Sequence, residues 1–477
     1  MRILRPRVVA PVGAASRQLC HQFSSSPLRA PLARTASVST TTTVPFTLAS
    51  SAARCRRRGS AAADRVLGPL TSSRPLSVGH EAPKQPPTFA FAFDIDGVLM
   101  HVAKPIPGAA RTLAYLQQQR IPFILLTNGG GKHETERVAD LSARLGVTLT
   151  TENFVQSHTP FRELVDSPGE GLRDRNVLVT GSDAARCRAI AEQYGFRRVV
   201  IPADILAAHP DIFPFDPLMR ERYAATARAL PPPLPEDVGA AGGGSSGGGH
   251  PLRIDAILVF DDPRDWALDI QLITDLLASR GGVLGTYSRR NGRPDLPGRG
   301  WQADGQPALY FSNPDLHWSA GYRHPRLGQG AFQAALAGVW HELTGGQAAL
   351  RRTVIGKPHG RTYGFAERVL RAHRETLWAS AGAGEQKLPP LRRVYMVGDN
   401  PASDVRGANE YASPHGTPWT SILVRTGVWD PDRAGAPAHQ PGRIADDVAA
   451  AVAWALEREG WPAAGGAGFD ALAAREG

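Results

Sequence analysis

Near residue 88 the pattern of apolar and polar positions changes. Phe89 to Phe93 read FAFAF, an apolar aromatic run of strand length. Pro107 stands at a favoured helix start and predicts a helix from Pro107 to Gln119. PFILLT (122–127) is the next strand. Val138, Leu141 and Leu145 then recur at helical spacing and stop at Gly146. NVLVT (176–180), IDAILVF (254–260), ALYFS (308–312), TVI (353–355), VYMV (394–397) and SILV (421–424) continue the series. Buried strands alternating with helices predict an α/β fold with a parallel sheet.

Residues 231–250, PPPLPEDVGAAGGGSSGGGH, break the series. A Pro-rich then Gly/Ser-rich stretch cannot pack a core and reads as a flexible insertion. It contains a literal G-x-G-x-x-G at Gly242, Gly244 and Gly247, but lacks the strand before and the helix after that a dinucleotide loop needs. Gly131-Lys132 and Gly356-Lys357 are not P-loops, because no Ser or Thr follows either lysine. His341-Glu342 lacks the second histidine of a zinc-protease helix.

The 477 residues allow about two to three domains. A hydrophobic share of 42% and a charged share of 21% are globular values, and exclude a wholly disordered or fibrous chain. No apolar stretch is long enough to predict a membrane-spanning helix. The net charge of +10 has one source. Residues 1–63 hold ten Arg and no Lys, Asp or Glu, and the remaining 44 basic residues balance 44 acidic ones. The neutral body removes a nucleic-acid reading. An Arg-rich, Ser/Thr-rich tail without acids has the composition of an organelle transit peptide, drawn by an inside-negative potential. Mitochondrion is the expected destination, in the matrix; the Ser/Thr run at 37–43 makes chloroplast the alternative. Cys20 and Cys55 lie in this tail. Cys187 alone in the body can form neither an internal disulfide nor a cysteine zinc site. It falls in a helix-like run from Ala184 to Tyr194 and reads as a packed residue.

Four separated pieces carry chemistry. FDIDGV sets Asp94 and Asp96 directly after the first strand. Thr127-Asn128 ends the second. Lys357 follows the strand 353–355, and VGDNPASD places Asp399 and Asp404 after the strand 394–397. All four are expected at strand ends of one sheet, where ligands of open α/β folds bind. Four carboxylates meeting there would repel one another, and a hard divalent cation such as Mg²⁺ resolves that conflict. An ammonium, a hydroxyl donor and a cation together suit a phosphoryl group. The backbone amides of Gly129–Gly131 can also approach an anion closely.

The order DxD, Thr, Lys, GDxxxxD resembles the haloacid dehalogenase-like (HAD) hydrolase superfamily, in its subfamily IIA arrangement. FDIDGV, QSHTP (156–160), FSNPDLHW (311–318), PRLGQGAF (325–332), IGKP (355–358) and GDNPASDVRGAN (398–409) resemble one branch, the cat eye syndrome critical region protein 5 family. The resemblance covers roughly 88–430. It implies a Rossmann-like parallel-sheet core with a large α/β, C2-type cap inserted. The organisation then expected is a transit peptide over 1–63, a linker over 64–87, core over 88–130, cap over 131–350, core again over 351–460 and a tail over 461–477.

The resemblance also implies roles. Asp94 is the nucleophile that becomes an aspartyl-phosphate, and Asp96 is the acid and base, its backbone carbonyl on Mg²⁺. Thr127, Asn128 and Lys357 hold phosphoryl oxygens. Asp94 and Asp399 ligate the metal, while Asp404, with Asn400 in support, orients Lys357 or a metal-bound water. The partner expected is a small phosphorylated metabolite, with a glycerophospholipid intermediate as one candidate. The alternative is a catalytically silent HAD-like binding or assembly protein of the mitochondrion. FSNPDLHW is expected where the cap returns to the core, which leaves Asn313 and Asp315 either near the site or in an ordinary Asn-Pro-Asp turn. Asp261 and Asp262 follow a cap strand and read as a solvated turn before Pro263, with contact to substrate as the alternative; Trp266 and Trp318 read as core rather than substrate platforms. The sequence sets no oligomeric state.

Overall fold

Phe89, Phe91 and Phe93 pack to one side of strand β1 (Phe89–Phe93), Ala90 and Ala92 to the other, and both sides are buried. This is why the run is apolar throughout: helices cover the sheet on both faces. A computed structural model of the protein describes residues 85–461 apart from 170, 216, 236–251, 319, 321 and 380–387. The expected transit peptide, most of the linker, the Gly/Ser part of the insertion and all but Trp461 of the tail lie outside the described residues.

After β1 comes a small hairpin, β2 (Met100–His101) and β3 (Lys104–Pro105). The first large sheet then adds β4 (Phe123–Leu126) and β5 (Phe154–Val155). The second large sheet contains β6 (Asn176–Thr180), β7 (Arg198–Val200), β8 (Ala256–Val259), β9 (Ala308–Phe311) and β12 (Thr353–Val354). A second hairpin, β10 (His317–Trp318) and β11 (Arg326–Leu327), precedes β12. Strands β13 (Arg393–Gly398), β14 (Trp419–Val424) and β15 (Arg443–Ala445) return to the first sheet.

That first sheet is parallel throughout, in the order β15-β14-β13-β1-β4-β5. The helices Ala109–Gln118 and Val448–Arg458 cover the phenylalanine face, and Gly360–Ala379 covers the alanine face. Chain order runs outward in both directions from β1, so the β1/β13 boundary is the switch point at which α/β sheets open a crevice. Phe93 pairs with Val397 on one side and Leu125 on the other. Asp94, Asp399 and Thr127 therefore emerge side by side.

The second sheet, β12-β9-β8-β6-β7, is also parallel. Its strands are again apolar on both faces: Ile257 and Val259 meet the helices Trp266–Ala278 and Gln329–Leu343, while Leu258 meets the helix Ala184–Tyr194. Cys187 is packed in that last helix, and burial pushes its thiol well above the usual range.

Two boundary expectations need correction. The core does not stop at residue 130. The helix Glu134–Leu145 buries Val138, Leu141 and Leu145 against the first sheet, and β5 pairs with β4. Nor does TVI join the core: Thr353 and Val354 pair with Tyr310 and Phe311 of the second sheet. A run of two or three β-branched residues carries no mark of which sheet it will extend.

Candidate active site

Lys357 is delivered from the cap sheet, not from a core strand as expected. Ile355 donates its N–H to Phe311, and the chain then crosses to the core, where Lys357 is 1% exposed. Its Nζ lies 2.8 Å from Asp94 Oδ1 and 2.7 Å from Asp404 Oδ1. Three of the four pieces thus end core strands, and the fourth arrives from the other sheet.

Asp94, Asp399 and Asp404 offer carboxylate oxygens that all lie within 4.8 Å of one another, and all three are buried. Asp94 Oδ1 also accepts the Ile95 N–H at 2.8 Å. Asp399 Oδ2 accepts the Val428 N–H at 2.6 Å. Asp404 Oδ2 accepts the Asn400 N–H at 3.1 Å, while the Asn400 side chain caps the same turn through Ala402 N–H at 2.9 Å. Among the described residues Asp94 Oδ2 and Asp399 Oδ1 are left without a protein partner. The backbone closes tightly on Asp399: a Cβ on Gly97, whose φ is +85°, would stand 2.3 Å from Asp399 Oδ2, and one on Gly427 would stand 1.9 Å away. Gly427 and Val428 had no signal in the sequence, since they follow a strand whose end carries no carboxylate.

The charges are unbalanced. Burial, then Asp94 and Asp404, hold the Asp399 carboxyl well above the usual range. Burial raises Asp94 against the pull of Lys357, and raises Asp404 to about 6 against the same pull. Burial works against a charged Lys357, but Asp404 and Asp94 outweigh it and keep the ammonium protonated. Three buried carboxylates to one ammonium, each offering an oxygen within 4.8 Å of the others, is a donor set that fits a hard divalent cation.

Asp96 stands apart at the exposed mouth. Desolvation by the surrounding protein raises its carboxyl above the usual range, against Arg137 and Lys357. Thr127 Oγ1 accepts the Gly129 N–H at 3.0 Å, which leaves its own proton for a ligand. A Cβ on Gly129 would sit 3.3 Å from Thr127 Oγ1 and 3.8 Å from Asp96 Oδ2, so this loop runs between the two.

Asn128 differs from the expectation that it holds phosphoryl oxygens. Its Oδ1 accepts the Lys357 N–H at 2.7 Å; its Nδ2 donates to the Lys357 carbonyl at 2.9 Å and to both Asp315 oxygens at 3.1 Å. The side chain is spent on clamping the lysine loop. Asn313 Nδ2 donates to the Asn128 carbonyl at 3.0 Å. Burial pushes Asp315 up to about 7, with Asn128 opposing. Asn313 and Asp315 therefore lie at the site, one layer behind it.

Asp261 is not a solvated turn: it accepts the Ser182 N–H at 2.5 Å and would meet a Cβ on Gly131 at 2.7 Å. A buried network missed by sequence reading backs the same loop. Thr159 Oγ1 donates to Glu134 Oε1 at 2.7 Å, Tyr194 donates to the same oxygen, and His158 Nδ1 lies 2.8 Å from the Tyr194 hydroxyl. Trp266 is half-buried against Phe332, whereas Trp318, expected in a core, is 43% exposed.

A parallel core sheet covered by helices on both faces, a second parallel sheet inserted into it and a buried carboxylate–lysine cluster at the switch point define an α/β hydrolytic site of the aspartate–lysine kind. Comparison with known families agrees: residues 91–197 match the haloacid dehalogenase-like hydrolase model and residues 354–451 the HAD-hydrolase-like model. The chain is 38% identical over 380 residues to a mitochondrial hydrolase of Saccharomyces cerevisiae, covering 77% of this chain and 96% of that one. It therefore belongs to the HAD-like hydrolases. It is also 39% identical over 370 residues to a cardiolipin synthase (CMP-forming)/mitochondrial hydrolase fusion protein of Schizosaccharomyces pombe, covering 77% of this chain but only 53% of that protein. Among solved structures, a 4-nitrophenylphosphatase of Thermotoga maritima is similar at 16% identity and a TM-score of 0.43, over 75% of this chain and 94% of that one.

Proposed function

We propose that the protein is a Mg²⁺-dependent phosphatase that hydrolyses a small mitochondrial phosphate monoester through an aspartyl-phosphate on Asp94. The observation that carries this reading is Lys357 Nζ, held at 2.8 Å and 2.7 Å between Asp94 and Asp404. The pairing fixes Asp94 Oδ1 and leaves Oδ2, which no donor occupies among the described residues, as the attacking oxygen. Lys357 then faces the phosphoryl oxygens with its charge kept, and Thr127 offers a hydroxyl proton. Asp96, with a raised carboxyl, gives its proton to the leaving oxygen. The same carboxylate takes the proton of the water that cleaves the acyl phosphate. Mg²⁺ would be held by Asp94, Asp399 and the Asp96 carbonyl, and when bound supplies the positive charge that phosphoryl transfer needs. Asp404 positions Lys357, and Asn128 positions the backbone that carries it.

The descriptions of both relatives as mitochondrial hydrolases, together with the acid-free arginine tail, support a mitochondrial location, in the matrix. The fusion of one relative to a cardiolipin synthase supports a substrate connected with phospholipid metabolism. The test is phosphate release from a panel of phosphorylated metabolites by the full chain, with Mg²⁺ or EDTA, beside Asp94→Asn. Turnover that needs Mg²⁺ and vanishes in a folded Asp94→Asn supports the reading. Absence of turnover on every substrate, with melting unaffected by Mg²⁺, overturns it in favour of a binding protein.

A further inference from the structure

Leu316, Trp318, Tyr322 and Leu327 are 50%, 43%, 56% and 54% exposed, and all stand on one short segment, the β10–β11 hairpin. Single exposed apolar residues are ordinary; four within twelve positions are not. Basic groups are interleaved with them: His317, Arg323, His324 and Arg326 are exposed as well. Arg326 stacks its guanidinium 4.7 Å over the Tyr322 ring, and neither Arg323 nor Arg326 has a carboxylate partner among the described residues. Between Asp315 and Glu342 the chain contains no acid.

We infer that this hairpin docks on the surface of an anionic phospholipid bilayer. Trp and Tyr suit the boundary between headgroup and acyl chain, where the ring is buried and its polar edge stays wet. Arginines beside them gain from lipid phosphates without leaving water. A second copy of the chain is the poorer occupant, because a two-fold contact would set this acid-free surface against itself, arginine to arginine.

The root of the hairpin ties this surface to the chemistry. Leu316 accepts the Gly328 N–H at 2.9 Å, and Asp315 accepts the Gly330 N–H at 2.9 Å, so the hairpin closes on Asp315. Asp315 in turn holds Asn128, which clamps Lys357. Docking would load the hairpin whose root, Asp315, also anchors the clamp on the Lys357 loop. The inference deepens the phosphatase reading by naming where substrate is met, but vesicle binding is measured without turnover, so either can fail alone.

The arginine tail also favours anionic lipid, so the readout must exclude it. Residues 1–84 contain no Trp, and of the nine tryptophans Trp318 is the one exposed. The full chain is mixed with phosphatidylcholine vesicles, or with vesicles containing phosphatidylglycerol, each carrying brominated acyl chains. Quenching of Trp fluorescence on the anionic vesicles is expected for the wild type. It should drop to the level on phosphatidylcholine alone in Trp318→Ser, and in Arg323→Glu/Arg326→Glu, whose Trp318 is intact. Leu327→Ser should lower the share of protein that floats with anionic vesicles at raised salt, where tail binding is screened. Melting temperatures equal to wild type keep the variants interpretable, since all four positions are exposed. Absent quenching in the wild type overturns the inference, as does quenching that persists in the arginine variant. A vesicle-free dimer that Leu327→Ser dissociates would overturn it in favour of a contact between copies.

Discussion

Asp404 Oδ1 lies 2.7 Å from Lys357 Nζ, with both side chains 1% exposed. A charge pair this deeply buried contributes little net stability, but losing one partner is costly, about 3–5 kcal/mol. In Asp404→Asn the lysine keeps only Asp94, and its ammonium is drawn toward the attacking carboxylate. The expected outcome is a fall in kcat of about 100-fold, together with a lower melting temperature. Turnover at saturating Mg²⁺ and a thermal melt check both. A variant with wild-type kcat would show that Asp404 does not position Lys357.

Gly97 separates the metal-ligand side of the site from its support. Its φ of +85° strains any other residue by about 1–2 kcal/mol, and a Cβ there would stand 2.3 Å from Asp399 Oδ2. Gly97→Ala must therefore displace Asp399 from the Val428 N–H that fixes it at 2.6 Å. The prediction is a lower melting point without metal and a smaller rise on adding Mg²⁺ than the wild type gives. An unchanged Mg²⁺-induced rise would mean that Asp399 is not a ligand.

Much of the core can be read from the sequence because its strands are buried on both faces. FAFAF, VYMV and the helix ending at Gly146 carry periodicities that survive without context: β1 spans Phe89–Phe93, and the helix stops at Leu145 with Gly146 as its cap. Asp94, Asp399 and Thr127 follow from the same logic, since a polar residue ending an apolar strand has only the crevice to face. What cannot be read is partnership across sequence distance. TVI satisfies either sheet, and only the pairing with β9 decides it. Asn128 and Asp315 are 187 positions apart, and Glu134 and Tyr194 are 60 apart. Neither pair leaves a local trace. Trp318 fails for the opposite reason: an aromatic residue is ordinarily core, and here a hairpin holds it out.

The clamp on the lysine loop yields its own test. Asn128 bonds the Lys357 N–H at 2.7 Å, the Lys357 carbonyl at 2.9 Å and Asp315 at 3.1 Å. Asn128→Ala leaves those backbone groups unpaired and lets the ammonium wander. A misplacement on the order of 1 Å costs about 100-fold in rate, so kcat should fall toward that limit while KM moves less. Asn128→Asp should be worse, because it sets a second carboxylate against Asp315. Steady-state kinetics of the two variants decide between this positioning role and direct phosphate binding, which would raise KM instead.

Asp269 gives a prediction independent of catalysis. It sits in the cap helix Trp266–Ala278, 5% exposed, and accepts the Thr180 hydroxyl at 2.6 Å. Burial pushes its carboxyl up to about 7, with Thr180 opposing and Asp265 adding to the rise. In the unfolded chain the value is about 3.9. Between those values the folded state binds more protons than the unfolded one, so the stability that Asp269 contributes is complete below about pH 4 and lost as pH rises through about 7. A three-unit shift bounds the loss at about 4 kcal/mol. Asp269→Asn keeps an acceptor for Thr180 and has no proton to lose. Its melting temperature should come closest to the wild type near about pH 4 and exceed it most near about pH 8. Equal differences at both pH values would mean that Asp269 is already ionised in the folded cap.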